Sequence, residues 1–322
     1  MKAKAQAPSN IALIKYWGKY DKKLRIPANS SISFNLSEAF TTTSVEFDEK
    51  FESDTFIFNG KKAKPAETER VSKHLNLLRN MSKIKHFAKV ESRNNFPSSS
   101  GIASSASGFA ALTLAASSSL GLTLSEKRLS ILARLGSGSA CRSIPDGFVE
   151  WKAGKKSEDS FAHSLYPADF WDICDLVAVT EKGSKKIGST EGHFLAQSSP
   201  FYKERILGMD KKIKETKSAL KNKDFTKLGE LTEAEAVSMH SVMMTSTPAL
   251  FYWTPKTLEI MKSVISWRSK GLETYFTIDA GPNVHIICQS KDVKLLRSKL
   301  EGIKGIKDVL INRVSNGAKL LK

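Results

Sequence analysis

The chain of 322 residues is 40% hydrophobic and 26% charged. That excludes a disordered polypeptide and leaves room for one large domain or two ordinary ones with a sizeable core. Fifty Lys and Arg against 33 Asp and Glu give a net charge of +17, a field that favours anionic partners such as phosphorylated metabolites or nucleic acid.

The first ten residues carry lysines with no apolar run behind them, so no signal peptide is expected. SNIALIKYWGKYDKK (9–23) mixes an apolar strand with Lys15, Tyr16 and Lys19. Alternation would put Lys15, Trp17 and Lys19 on one face and Tyr16 on the other; taken alone, this reads as an edge strand with snorkelling lysines. SISFNL alternates, TTTSVEF is β-branched, and DTFIFNGKKAK ends in Asn59-Gly60, a strong hairpin signal. A helix is expected over 66–80, with Val71, Leu75 and Leu78 on one face, and a strand in HFAKVES.

Next comes NNFPSSSGIASSASGFAALTLAASSSLGL (94–122), which crowds hydroxyls into a loop and then turns strongly apolar. A flexible linker would be polar on both sides. Here a strand precedes and an apolar helix to about residue 119 follows, the context of a phosphate cradle. Gly101 lets backbone approach an anion, and a helix start offers unpaired N–H groups and the positive dipole end. Ser104 and Ser105 fall in that first turn. The longest apolar stretch, 108–116, is too short to span a bilayer. A second helix is expected over 125–135 with Ser125 as N-cap, then strands in GFVEWKAG and ICDLVAVT.

Beyond residue 180 lysine-rich amphipathic helices are expected over 200–222, 224–245 and 255–270. Strands ETYFTID and VHIICQ follow, then a helix near 291–300 and a last strand KDVLIN. Strands first and helices later, without steady alternation, indicate α+β, with a soft boundary giving segments 1–180 and 181–322.

GSKKIGST (183–190) has P-loop glycine spacing, but Ser189 stands at the lysine position, so no P-loop is read. GSGSAC (136–141) has two of the three glycines of a dinucleotide fingerprint and no suitably placed acid, so that is rejected too. Both remain oxyanion surfaces with Arg142, Lys185 and Lys186 nearby. Asp279, closing an apolar strand before Gly-Pro, is either a turn former or a catalytic carboxylate. The six histidines lack metal-ligand spacing, and no G-x-S-x-G occurs. No RNP, helix-turn-helix or zinc-finger pattern accompanies the lysines. Cys141, Cys174 and Cys288 are odd in number and widely spaced, which points to reduced thiols and a cytoplasmic protein.

PSSSGIASSA resembles the phosphate loop of the GHMP kinase superfamily. APSNIALIKYWGKYD, IPANSSIS, GSGSACRS, GFVEW and FTIDAGPNVHII, in that order from Ala7 to Ile287, resemble its diphosphomevalonate decarboxylase family. The resemblance implies an N-terminal half of the ribosomal-protein-S5 type, a C-terminal ferredoxin-like half and a cleft between them, in a homodimer. It implies ATP-dependent decarboxylation of mevalonate 5-diphosphate with Mg²⁺ on the ATP. It also assigns roles. Asp279 meets the 3-hydroxyl, Lys15 pairs with Asp279, and Arg142 holds the substrate carboxylate with Asn10 in support. Tyr16, Lys19, Ser137, Ser139 and Ser189 bind substrate. Ser98, Ser99, Ser100, Gly101, Ser104 and Ser105 cradle ATP, with Ser105 aiding the γ-phosphate and Mg²⁺; no metal site is expected from protein groups alone. Three departures stand out: Pro145-Asp146 before GFVEW, with Asp146 expected to point outward, His193 in place of methionine, and Gly188 in place of serine. Lys15 and Asp279 together disfavour a pure mevalonate 3-kinase, and the cations near the diphosphate position favour the diphosphate over a monophosphate. A basic, non-catalytic nucleic-acid-binding protein on an S5-like fold is the alternative from another class.

Overall fold

Alternation at the start of Lys2–Ile14 (β1) gives way to burial on both faces from Ala7 onward. In the computed structural model, which describes residues 1–96, 104–180 and 188–322, β1 is sandwiched between helices of the two halves of the chain. It is followed by Lys19–Asp21 (β2), Ile26–Pro27 (β3), Ser31–Asp48 (β4), Thr55–Phe58 (β5), Lys61–Lys62 (β6), Pro65–Ser82 (α1), Phe87–Asn94 (β7), Ser104–Ser119 (α2), Glu126–Gly136 (α3), Phe148–Trp151 (β8) and Ala162–Tyr166 (β9). The second half holds Ile173–Val179 (β10), Ser189–Leu195 (α4), Tyr202–Leu207 (α5), Met209–Asn222 (α6), Phe225–Met244 (α7), Pro255–Ser269 (α8), Tyr275–Thr277 (β11), Val284–Gln289 (β12), Val293–Glu301 (α9), Asp308–Arg313 (β13) and Lys319–Leu321 (β14).

The first sheet runs β14-β1-β4-β7-β5-β6, with β8 on β4 and β9 on β8; its pairs are antiparallel apart from β5 with β7. The β5–β6 hairpin turns on Asn59 and Gly60, both with positive φ, as Asn-Gly sequence requires. SISFNL and TTTSVEF, expected as two strands, are one strand, β4. Its register against β1 jumps between Pro8↔Phe40 and Asn10↔Asn35, so the non-β sequence between them is absorbed as an irregularity. There Ser37 Oγ accepts from Arg313 N–H (3.0 Å) and Asn312 Oδ1 from Glu38 N–H (3.1 Å), joining the two sheets.

The second sheet, β11-β12-β10-β13, is antiparallel throughout. Its β10–helices–β11–β12–α9–β13 order is the βαββαβ pattern of a ferredoxin-like half. The 200–222 helix is two helices, α5 and α6, meeting at Gly208. β9 and β14 escaped the sequence reading because five and three residues carry little periodicity. β14 crosses back to pair with β1. A core of Ile11, Leu13, Phe34, Val177, Leu228, Tyr275 and others continues through both halves.

The serines of α2 are structural as well as polar. Ser107 Oγ lies 2.6 Å from Thr41 Oγ1, and Ser119 donates to the Met1 carbonyl at 2.9 Å, so these two buried hydroxyls are satisfied while Ala106, Ala110, Ala111 and Ala115 let the helix lie close to the sheet. Ser125 caps α3 by accepting from Arg128 N–H. The three cysteines are free and buried. Among the described residues no helix is long and apolar enough to cross a membrane.

Candidate active site

A cleft of about 570 Å³ opens where the end of β1, the start of α2, the 3₁₀ turn 138–143, α4 and the β11–β12 turn converge. Lys15, Tyr16, Lys19, Ser104, Ser105, Ser137, Ser139, Arg142, Ser189 and Asp279 all line it. Ser98, Ser99, Ser100 and Gly101 lie outside the described residues. Asn10 is on no wall of the cleft. It stands behind Arg142, accepting from Nε (3.1 Å) and donating to Ser143 Oγ (2.8 Å). It lies inside the ladder of β1, facing protein rather than ligand.

The strand alternation expected at 15–19 does not hold. β1 stops at Ile14, and Gly18 has a φ of 92°, so Lys15, Tyr16 and Lys19 all reach one cleft. Nor are the lysines snorkelling: both are buried. Glycines admit the aromatic groups beside them. A Cβ on Gly138 would lie 2.8 Å from the Tyr16 ring, and one on Gly192 would lie 2.7 Å from Trp17. His193, at the departure from the family pattern, fills this space. Its Nδ1 accepts from Gly18 N–H (3.0 Å), and its ring lies 4.1 Å from Tyr16 and 4.5 Å from Trp17. Burial and surrounding cations push its pKa down, so it is a neutral packing and accepting group. Gly188 is the exposed residue before α4. Asp146 points outward, where its Oδ1 accepts from Gly317 N–H at 2.6 Å.

Lys15 Nζ donates to Asp279 Oδ1 at 2.6 Å. The lysine side chain is 1% exposed and the aspartate 24%. Burial alone would raise the carboxyl pKa, but the charge and hydrogen bond of Lys15, followed by His285 and Arg142, outweigh it and hold Asp279 below its ordinary value. Burial pushes the Lys15 ammonium down against the pull of Asp279. Arg142 donates from Nη1 to Ser31 Oγ at 2.9 Å. Burial raises the Tyr16 phenol, which stays a proton donor at neutral pH.

Sequence reasoning missed Arg25, Arg70 and Glu67, which complete the cleft wall. Arg25 Nε and Arg70 Nη2 donate to the Leu135 and Gly136 carbonyls (2.9 Å each). Glu67, Arg70 and His74 share the stripe of α1 that continues Val71, a helical spacing that could have flagged them. Among the described residues, five cations therefore line the cleft against two carboxylates, the balance suited to di- and triphosphates. A narrower cleft of about 180 Å³ shares Glu67, Arg70, Ser104 and Ser105 with the first and adds Phe56, Phe58, Val71, Phe109 and Leu112.

Burial, then the charges of Arg25, Arg70 and Lys22, lowers the Lys19 pKa to about 8. An anion bound beside it favours the ammonium, so above pH 8 binding must take up a proton. Once the ligand's own ionisations are divided out, affinity for inorganic diphosphate is therefore expected to be level below pH 8 and to fall up to about tenfold per pH unit above it. In Lys19→Arg, whose cation does not titrate there, the fall should disappear. Calorimetric titration between pH 7 and 10 checks this; parallel curves for the two proteins would refute it.

A family model described as the diphosphomevalonate decarboxylase-like N-terminal domain matches residues 7–162, and one for the mevalonate 5-diphosphate decarboxylase C-terminal domain matches 175–318. The diphosphomevalonate decarboxylase of Gibberella zeae is 35% identical over 332 residues, covering 95% of this chain and 87% of that protein. The crystal structure of mevalonate diphosphate decarboxylase from Staphylococcus aureus superimposes with a TM-score of 0.96 at 39% identity, over 100% of this chain and 98% of that one. A solved complex of MDDEF with MVAPP, AMPPCP and magnesium gives 0.94 at 40% identity, over 100% and 99%.

Proposed function

The chain belongs to the diphosphomevalonate decarboxylase family, and from that premise we propose how its own residues divide the work. The fold is the α+β fold of the GHMP kinases. The reaction is ATP-dependent decarboxylation of mevalonate 5-diphosphate to isopentenyl diphosphate, with ADP, phosphate and carbon dioxide as the other products. A tertiary hydroxyl is a poor leaving group. Phosphorylation makes it a good one, its departure leaves positive charge at C3, and the carboxylate electrons form the double bond as carbon dioxide departs.

The observation that carries this reading is the Lys15–Asp279 contact in a cleft whose wall is rich in cations and hydroxyls. Ionised Asp279 orients the 3-hydroxyl and accepts its proton as the phosphoryl group arrives. Lys15 keeps Asp279 ionised. Arg142 holds the substrate carboxylate, with Asn10 and Ser31 fixing the guanidinium. Tyr16, Lys19, Ser137, Ser139 and Ser189 bind the substrate, its diphosphate above all. Ser104 and Ser105 meet the ATP phosphates with Arg70, and the apolar cleft beside them takes the adenine. Ser98–Gly101 complete the ATP cradle in this proposal.

Mg²⁺ fits this donor set. It takes oxygen ligands and is held by one or two protein groups plus substrate phosphates. The Ser104 and Ser105 hydroxyls and the Glu67 carboxylate on the cleft wall supply such oxygens, and among the described residues no cluster of three His, Cys, Asp or Glu groups could hold a metal alone. Bound with ATP, the ion neutralises triphosphate charge. Three buried free thiols support a cytoplasmic protein, and a homodimer is the assembly we propose.

Incubation with ATP, Mg²⁺ and each mevalonate phosphate in turn, with ADP and carbon dioxide followed together, should give equal amounts of both with the 5-diphosphate. ADP without carbon dioxide would make the protein a 3-kinase. Faster turnover of the 5-monophosphate would change the substrate.

A further inference from the structure

We propose that the buried Arg205–Glu235 pair is a positioning device for Lys15, gripping its backbone so that the ammonium is delivered to Asp279. The proposal rests on the catalytic reading of Asp279 above. Lys15 stands just past the end of β1, where the ladder no longer fixes the chain. An ammonium on a four-carbon stem reaches one carboxylate oxygen reproducibly only if its own backbone is held.

Two donors hold it. Asn29 Nδ2 donates to the Lys15 carbonyl at 2.9 Å and Arg205 Nη2 at 3.1 Å. Arg205 Nη1 also lies 3.4 Å from Asn29 Oδ1, so the two holders brace one another. Behind them Arg205 Nη2 donates to Glu235 Oε1, and Glu235 Oε2 accepts from Lys212 Nζ at 2.7 Å. One helical turn before Arg205, Tyr202 closes on the other end of the same segment: a Cβ on Gly18 would lie 2.2 Å from its hydroxyl. Helix α5 thus grips residues 15–18 at both ends, and α7 anchors α5 through Glu235.

The Arg205 and Glu235 side chains are 1% and 0% exposed. A buried ion pair contributes little stability over an apolar pair of similar volume, so its carbonyl contact, not folding energy, accounts for its presence. The charged and titratable groups facing the Lys15–Asp279 pair are Arg142 from the 3₁₀ turn, Glu235 and His240 from α7, and His285 from β12. Of these, only Glu235 is linked to the Lys15 backbone, through Arg205. If the grip slackens, Lys15 withdraws and burial raises the Asp279 pKa.

The test compares Arg205→Lys and Glu235→Gln in the full-length protein with Arg79→Gln. That control breaks another buried pair, Arg79 with Asp54 at 2.7 Å, outside the cleft. In the two test variants kcat should fall about 10–100-fold, with KM for both substrates within about threefold. The acid limb of the kcat–pH profile should move up by about one unit. Arg79→Gln should lower the thermal midpoint and leave the limb in place. If Glu235→Gln does not fold, Arg205→Lys decides. If neither folds, Lys212→Gln, which loosens Glu235 from its partly exposed side, must show a smaller shift of the same sign. An unmoved limb in the folded variants, or losses that only track thermal midpoint as in Arg79→Gln, overturns the proposal. Asp279→Asn run in parallel separates the cases. If that variant is still active, the catalytic reading itself fails. If it is inactive while the limb stays fixed in the others, only the positioning role fails.

Discussion

Asp279→Asn should lower kcat on the order of 10²–10⁴-fold while nucleotide affinity stays near its original value. The carboxylate follows β11 at a turn in which Gly281 N–H donates to the Asp279 carbonyl at 2.7 Å. Ala280 next to it packs in a cluster with Trp17, Met239 and Met243. The backbone is thus fixed, and asparagine would occupy the same place with one acceptor oxygen. What is lost is charge and basicity. Lys15 also loses its counter-ion inside protein, so the variant should unfold at a lower temperature, and kcat must be compared well below that midpoint. The wild type carries a related signature. Because Lys15 holds the Asp279 carboxyl below its ordinary value, the ionised form, and with it turnover, should persist below the usual carboxylate range and fall only as the carboxyl is protonated. A folded Asp279→Asn protein working within a few-fold of wild type would reduce Asp279 to a turn former.

Much of this site was legible because its chemistry is concentrated in short strings. KYWGK and GSGSACRS each hold three of the proposed site residues, and DAGPN holds the proposed catalytic carboxylate. Local rules placed the hairpin at Asn59-Gly60, the Ser125 cap and most helices. The sequence hid features that depend on distant chain. Alternation failed at Lys15 because the strand ends one residue earlier, and no local signal says so. Arg25, Arg70, Arg205 and Glu235 are single charged residues on ordinary segments; only the folded chain brings Arg25 and Arg70 to the cleft wall and Arg205, with Glu235 behind it, to the Lys15 carbonyl. β14 is three residues whose pairing is chosen by β1, not by propensity. His193 was visible as a departure, but its contact with Gly18 joins residues 175 apart.

Arg142→Gln should cut kcat/KM for mevalonate 5-diphosphate on the order of 10²–10³-fold, with ATP affinity changed by no more than about threefold. Arg142 lies in the 3₁₀ turn 138–143, its guanidinium tied to Asn10 Oδ1 and Ser31 Oγ and set 5.9 Å from the Trp151 ring. Those contacts fix the plane of the group before any ligand arrives, which is what a carboxylate partner needs if the C1–C2 bond is to align with the breaking C3–O bond. Burial lowers the arginine pKa, but its intrinsic basicity keeps it charged. Glutamine is shorter and neutral, and leaves Asn10 and Ser31 without their donor. An unmade buried hydrogen bond costs about 1–3 kcal/mol, so the thermal midpoint should fall as well. Arg142→Lys separates charge from geometry: it restores the cation without the fork and should recover only part of the loss. Titration with a fluorescent ATP analogue decides the assignment. A collapse of nucleotide affinity in Arg142→Gln would move Arg142 from the substrate carboxylate to the triphosphate.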